Sequence, residues 1–352
     1  MEVLINRRAG LLIAQTLLGL ALLVAWVLLV DLGAVGRTLS QARWMYVLLA
    51  AVIALSSSLI RSQRWRLVLG PIASVPLLDL FLIIMASGLV NFVIPLRTGE
   101  IARSLLLKQR HRVPMSASLP TIAVDRSFDL LAVLVVGTIG ALSGIRLGGR
   151  LSTVLLAGGL LLLVFVVFVI LAILSGDRLL ALADRLISKR LASHFRDRIL
   201  GIIEGLLAGF TAVGRQPKGL LQMITVSFLS TVLDGTLFYL LFLSIGADVP
   251  YAIVLTGYAL FALTFLVPGA PGYIGSMEAF GSLVFSALGV GVELAASAVI
   301  LFHALNALML GVVGGLAMWT LGLRPASAVK AFVKAGETNA GTDRSGIEGI
   351  RD

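Results

Sequence analysis

Arg97, Glu100 and Arg103 recur at three-residue spacing just after an interruption marked by Pro95 and Gly99, and Asp125, Arg126 and Asp129 open a long apolar run. Asp234 sits midway along another apolar run. Glu278 closes a second interruption, which carries Pro268, Gly269, Pro271, Gly272 and Gly275. A guanidinium presents a planar fork of donors that matches a phosphate, and a carboxylate can pair with it, hold an amine or carry a proton. Helical spacing lets Glu100 pair with Arg103 and Arg126 with Asp129. The plainer alternative is that such pairs only fix helix packing, or that Arg103 snorkels to an interface. Asn91 and Asn306 suit backbone groups freed at a break. His303 suits helix packing, with a proton relay as the alternative. The glycines of 269–275 lack the lysine, the hydroxyl and the preceding strand that a phosphate-binding loop requires.

The elements that position these residues are apolar helices. The 352 residues are 59% apolar and 13% charged, with a mean hydropathy of +1.04, whereas soluble domains carry about 45–50% and about 25%. Zero cysteines exclude disulfides, thiolate metal sites and thiol catalysis. Three histidines far apart in sequence (His111, His194 and His303) speak against a histidine-rich metal site. No cofactor is expected. The net charge of +10 points to loops facing anionic lipid rather than to a nucleic-acid partner. The expected class is an all-α polytopic membrane protein.

Full-length apolar runs cover 10–30, the stretch from Trp44 to Arg61, 119–144, 151–175, 219–245 and 293–322. The first is too long for a secretory signal and is expected to be retained. Trp44 and Tyr46 read as an aromatic belt, and Arg61, Arg64 and Arg66 as a cytoplasmic anchor. With the N-terminus in the cytoplasm, loops 31–43 and 145–150 lie outside with Arg37, Arg43, Arg146 and Arg150. Nearly all the remaining basic residues then fall inside. This holds only if 77–110 returns to the side it entered from, as a re-entrant hairpin. The stretch 251–290 is a second such hairpin or two full crossings; eight ordinary spans are the alternative to six spans plus two hairpins. Segment 177–198 has the spacing of a helix on the cytoplasmic lipid surface, or of a solvated linker. Residues 1–325 form the membrane domain, and 326–352 a disordered cytoplasmic tail.

The two interruptions echo each other, as Phe92-Val93-Ile94-Pro95 and Phe265-Leu266-Val267-Pro268. Matching breaks in two inverted halves point to a transporter's midplane site. Eight ionisable residues lie near these breaks and spans. Unpaired at the bilayer centre, they would cost on the order of 20 kcal/mol, more than the about 5–15 kcal/mol that holds a domain folded. They must face one another or a polar cavity.

NFVIPLRTGEIAR at 91–103, DRSFD at 125–129 and PGAPGYIGSME at 268–278 resemble, in order, the three motifs of the lysylphosphatidylglycerol synthase transmembrane, or flippase-like, family. The resemblance covers about residues 10–325. Asp125 stands where that family usually has glutamate, and no soluble lysyl-transferase domain is expected after residue 325. It implies a bacterial-type inner-membrane protein that translocates a lipid. The binding residues expected are Arg97, Glu100, Arg103, Asp125, Arg126, Asp129 and Glu278, with Arg97, Glu100, Arg126, Asp129 and Glu278 lining one polar cavity. Expected partners are the lipid itself, anionic lipid at the cytoplasmic face, and a second copy or a lipid-biosynthesis enzyme. A transferase acting on a lipid head group and a scaffold in an envelope-biosynthesis complex are the alternatives.

Overall fold

The computed structural model describes residues 2–94, 98–142, 149–187, 193–214, 217–266 and 270–322. Pro95, Arg97, Pro268, Gly269, Arg146 and the tail 326–352 lie outside the described residues, as does part of the 177–198 segment. Every regular element described is helical. α1 (Glu2–Leu29) turns through 85° into the short α2 (Leu32–Ser40). Asp31 makes that corner by accepting the Ala34 N–H at 3.0 Å, a bond that holds its carboxyl below the ordinary range. The stretch expected as a loop outside the membrane is thus largely a helix, because a capped, amphipathic nonapeptide can bury Val35 against its neighbours.

There follow α3 (Trp44–Leu69), α4 (Leu77–Val93), α5 (Gly99–His111) and α6 (Met115–Leu142). After α7 (Gly149–Leu186) and α8 (Ser193–Gly214) come α9 (Pro217–Ser244) and α10 (Tyr251–Thr264). One 3₁₀ turn (Pro271–Tyr273) leads to α11 (Ser276–Ala287), and then to α12 (Val292–Met309). A π turn over Leu310–Gly314 carries α12 into α13 (Gly315–Thr320). The order of α3–α6 is repeated by α9–α12. Each run has a long helix, a turn ending in a proline (Pro76, Pro250), a short helix, a break, a second short helix and another helix. Proline suits those entry points because its missing N–H would lack a partner there anyway.

Among the described residues, three helices are long and apolar enough to cross a membrane: Trp44–Leu69, Pro217–Ser244 and Val292–Thr320. The bent pairs Ile13–Leu29 with Leu32–Ser40, and Val166–Ala172 with Leu174–Leu186, raise the number to five. The 97° bend of the second pair falls where Ser175 leaves helical geometry, so the residues from 174 on run across the direction of the preceding apolar stretch.

Two apolar cores flank the most extensive helix pair, α3 with α9. One surrounds Phe238, Phe242, Phe261 and Phe285, with Phe238 stacked on Phe302 at 4.5 Å. The other surrounds Trp65, Leu69, Ile83 and Leu107. α5 folds back on α4 so closely that a Cβ on Gly99 would stand 2.5 Å from the Ser87 carbonyl oxygen. α1 packs on α11 through Trp26, whose Nε1 donates to Ser282 Oγ at 3.0 Å, and through Gly19 against Gly275. Gly275 combines φ +80° with a position where a Cβ would meet the Gly19 carbonyl oxygen at 1.9 Å. Gly275→Ala is therefore expected to lose more than about 1 kcal/mol, whereas Gly36→Ala, with open space around it, is expected to be neutral or stabilising. Thermal unfolding of the two purified variants checks this.

Candidate functional site

α3 carries a polar stripe at helical spacing, Ser57, Arg61 and Arg64, and α9 carries another, Ser227, Ser230, Thr231 and Asp234. The two stripes face each other and join the charges midway along α6. Arg64 has no exposed side-chain surface. Its Nε donates to Asp125 Oδ1 at 2.7 Å, and its Nη1 donates to Asp129 Oδ1 at 2.6 Å and to Ser227 Oγ at 3.1 Å. Asp125 takes a second guanidinium with its other oxygen, from Arg103 Nη1 at 3.0 Å. Arg103 is 3% exposed and lies 3.7 Å above the Trp65 ring. That ring is fixed by its own N–H to Thr121 Oγ1 at 3.1 Å. Asp129 also faces Arg61 at 3.8 Å, and Arg61 closes on Asp234. Asp234 in turn accepts from Ser57 Oγ at 2.7 Å and from Tyr258 Oη at 2.6 Å.

The result is an alternating ladder, Arg103, Asp125, Arg64, Asp129, Arg61, Asp234, that ties α5, α6, α3 and α9 together. Opposite charges in a low-dielectric interior offset desolvation only when each is held on several sides. The geometry here meets that condition at every inner rung.

Arg126 stands at the loose end. It is half exposed, 3.4 Å from Asp129 Oδ2 and 3.8 Å from Glu100 Oε1. The expected Arg126–Asp129 pair is present in this weak form. Glu100 does not pair with Arg103, in contrast to the sequence expectation. Arg103 is drawn instead onto Asp125 and the Trp65 face, and Glu100 meets Arg126. Arg61 and Arg64 correct a second expectation, because they are inner members of the ladder and not interface anchors.

A cavity of about 420 Å³ opens beside the ladder. Its polar wall is Arg61, Glu100, Arg103, Arg126, Asp129 and Asp234, with Asn91, Gly99 and Asn306. Its apolar wall includes Ile84, Val133, Leu237, Leu263, Phe302 and Met309. Nε and Nη2 of Arg103, Nε of Arg61 and Oε2 of Glu100 are buried without a hydrogen-bond partner. Asp125 backs the wall through Arg103. Among the described residues no group of three or more His, Asp or Glu side chains is placed to hold a metal ion.

The two breaks meet beside this cavity. Asn91 Oδ1 accepts the Gly99 N–H at 3.0 Å, which is the backbone role expected of it. Phe92, at the end of α4, lies 6.5 Å from the Tyr273 ring and edge-on to His303 at 5.9 Å. Glu278 is not part of the cavity wall. One of its oxygens accepts the Gly275 N–H at 2.8 Å, and the other is bonded to His303 Nδ1. His303 also contacts the Gly272 carbonyl, so it holds the second break as well as packing between helices. Sequence reasoning missed Arg61, Arg64, Ser57, Ser227 and Tyr258 as members of the site. The i, i+4, i+7 stripe of Ser57, Arg61 and Arg64 was the available signal.

Asp125→Asn removes the one carboxylate shared by two buried guanidiniums and is expected to cost about 3–5 kcal/mol, seen as lost folded yield. Arg126→Gln, at the half-exposed end, is expected to leave the yield near wild type. Size-exclusion profiles of the detergent-extracted variants separate the two outcomes.

Residues 9–314 match the family described as the lysylphosphatidylglycerol synthase TM region. Similar proteins include a UPF0104 membrane protein of Methanothermobacter thermautotrophicus, 23% identical over 84% of this chain and 91% of that protein. A UPF0104 membrane protein of Pyrococcus horikoshii is 25% identical over 80% of this chain and 88% of its own. A protein named glycosyltransferase AglD, of Haloferax volcanii, is 28% identical over 92% of this chain, which spans 55% of its length. No solved structure matches. With nearly the whole chain matched and several apolar helices of spanning length, this protein belongs to the lysylphosphatidylglycerol synthase TM region family of membrane proteins.

Proposed function

We propose that this protein moves a lipid with a phosphate-bearing head group between the leaflets of the cytoplasmic membrane. The observation that carries the reading is Arg103. It is a buried guanidinium with two unpartnered nitrogens, on the wall of a cavity that is ionic on one side and apolar on the other. A phosphate accepts charge-assisted hydrogen bonds from such a fork, and the apolar wall suits the chains that follow it. Among the described residues the ladder and its loose end hold four arginines against four carboxylates, Glu100, Asp125, Asp129 and Asp234. The cluster is thus balanced before a ligand enters, and a phosphate, which adds negative charge, competes with Glu100 and Asp129 for Arg126.

The arrangement we favour has six full spans and two broken hairpins, α4–α5 and α10–α11, in inverted halves, with both termini in the cytoplasm. The repeated element order and the meeting of Phe92 with Tyr273 support it. Residues 174–186 would lie on the cytoplasmic surface, where Arg178 and Arg185 face anionic lipid. Because the chain lacks cysteine, single cysteines report the orientation. Gly36→Cys should react with an impermeant maleimide in intact cells, and Lys108→Cys only after membrane disruption. The reverse pattern overturns the arrangement.

The likeness to AglD favours one other reading, a transferase acting on a lipid head group, although the activity in that name belongs to a protein of which this chain spans 55%. Vesicles carrying a fluorescent phosphatidylglycerol, with fluorescent diacylglycerol as the phosphate-free control, decide between them. Wild type is expected to move the first and not the second, with no change in head-group mass when a polyprenyl-phosphate sugar is supplied. Arg126→Lys keeps the charge and loses the fork. It should fold normally and translocate about tenfold or more slowly per folded molecule, since a hydrogen bond to a charged group contributes about 1.5–3 kcal/mol. Wild-type turnover in that variant returns Arg126 to helix packing.

A further inference from the structure

We propose that His303 and Glu278 form a proton-binding latch that holds the second break closed. Both ring nitrogens of His303 face acceptors: Nδ1 is bonded to Glu278 Oε1, and Nε2 lies 2.7 Å from the Gly272 carbonyl oxygen. A neutral imidazole has one N–H and one lone pair. Opposite an ionised Glu278, a neutral ring would aim its lone pair either at the carboxylate or at the carbonyl. Both contacts become hydrogen bonds only when the pair carries one further proton, as imidazolium with carboxylate or as neutral ring with protonated acid. The carboxyl cannot turn away freely, because its other oxygen accepts the Gly275 N–H.

The segment held by this latch is strained. Gly272, Tyr273 and Gly275 have φ of +67°, +56° and +80°, and a left-handed backbone is a rare conformation for tyrosine. Tyr273 lines the large cavity, stacks edge-on with Phe265 at 5.3 Å and touches Phe92 at the end of the first break. Loss of the proton turns one of the two His303 contacts repulsive and lets 272–275 relax, which moves the Tyr273 ring out of the cavity wall. The latch is proton-loaded, so it is closed at low pH and opens as pH rises.

Other charged groups on the surrounding elements are engaged elsewhere. Arg61 of α3, Asp234 of α9 and Tyr258 of α10 are bonded to one another, and Glu100 of α5 faces Arg126 of α6. Asp31 pairs with Arg37 at the α1–α2 corner, Asp79 of α4 pairs with His111, and Glu293 stands in the first turn of α12. Among the described residues, Glu278 is the charged side chain bonded to His303. The gating role rests on the cavity being the lipid site; the proton site itself does not.

The test places a nitroxide on Ile274→Cys, a half-exposed position in the break, in the full chain reconstituted in phosphatidylcholine nanodiscs. Spectra are recorded from about pH 5 to about pH 9. The wild-type background should show an immobilised label at low pH and a mobile fraction that grows severalfold as pH rises. Glu278→Gln supplies an amide N–H to Nδ1 and an oxygen to Gly275, so a neutral ring satisfies every contact. Its spectrum should stay immobilised across the range. His303→Phe should be mobile throughout. A flat wild-type spectrum, or a Glu278→Gln spectrum that titrates like wild type, overturns the latch. Lipid movement is no part of the readout, so failure of the transport reading and failure of the latch are seen separately.

Discussion

Asp125 accepts from two guanidiniums that are themselves almost wholly buried, and the position of three helices, α3, α5 and α6, follows from that sharing. Arg64 reaches it from α3 and Arg103 from α5, while Asp125 and Asp129 stand one turn apart on α6. Burying an ion costs several kcal/mol, and a single partner rarely offsets that. A carboxylate between two arginines, next to an arginine between two carboxylates, compensates each charge from both sides. Apolar packing alone would let α3 slide along α9 at little cost, since one aliphatic surface resembles another. The ladder fixes one register and thereby sets the depth at which the cavity wall is charged.

The breaks are governed by a different constraint, the backbone. Where a helix stops inside an apolar surrounding, its freed N–H groups need acceptors. The two breaks solve this in parallel ways. Asn91, before the first, accepts from Gly99, and Glu278, after the second, accepts from Gly275. In each case the N–H belongs to a glycine that also permits a close approach, of α5 to α4 or of α11 to α1. The described residues flanking both breaks lie against the same cavity.

Much of this was legible because chemistry and spacing coincide. Charges inside apolar runs had to converge, and Glu100, Arg103, Arg126, Asp129 and Asp234 do share one cavity. Two things were hidden. Arg61 and Arg64 follow an apolar stretch and precede Arg66, so by position they look like anchors; only the stripe with Ser57 shows that they turn inward. The partner of Arg103 was hidden too, because spacing reports which residues share a helix face and not which neighbouring helix faces it. The aromatic face of Trp65 and the oxygen of Asp125 outcompete Glu100 for Arg103 only once α3, α5 and α6 have met. The number of spans was equally out of reach. α6 carries three charges near its middle, and hydropathy cannot distinguish a charge held by partners from one left in lipid.

A site that passes its ligand on must hold it weakly enough to release it. In the proposed transport reading, the carboxylates act as built-in competitors. In the inner ladder Arg64 and Arg103 are held by bonds of 2.6–3.0 Å, and displacing them would disassemble the helix register. At Arg126 the competing contacts are 3.4 and 3.8 Å long and partly open to solvent, and because Glu100 and Asp129 stay in place, a phosphate there would add negative charge to a balanced cluster. In the proposed transport reading, the carboxylates that stay behind weaken the hold on the phosphate and so favour its release. The strong pairs supply the rigidity of the wall and the weak pair supplies the exchange, and the gradient between them runs along one chain of alternating side chains.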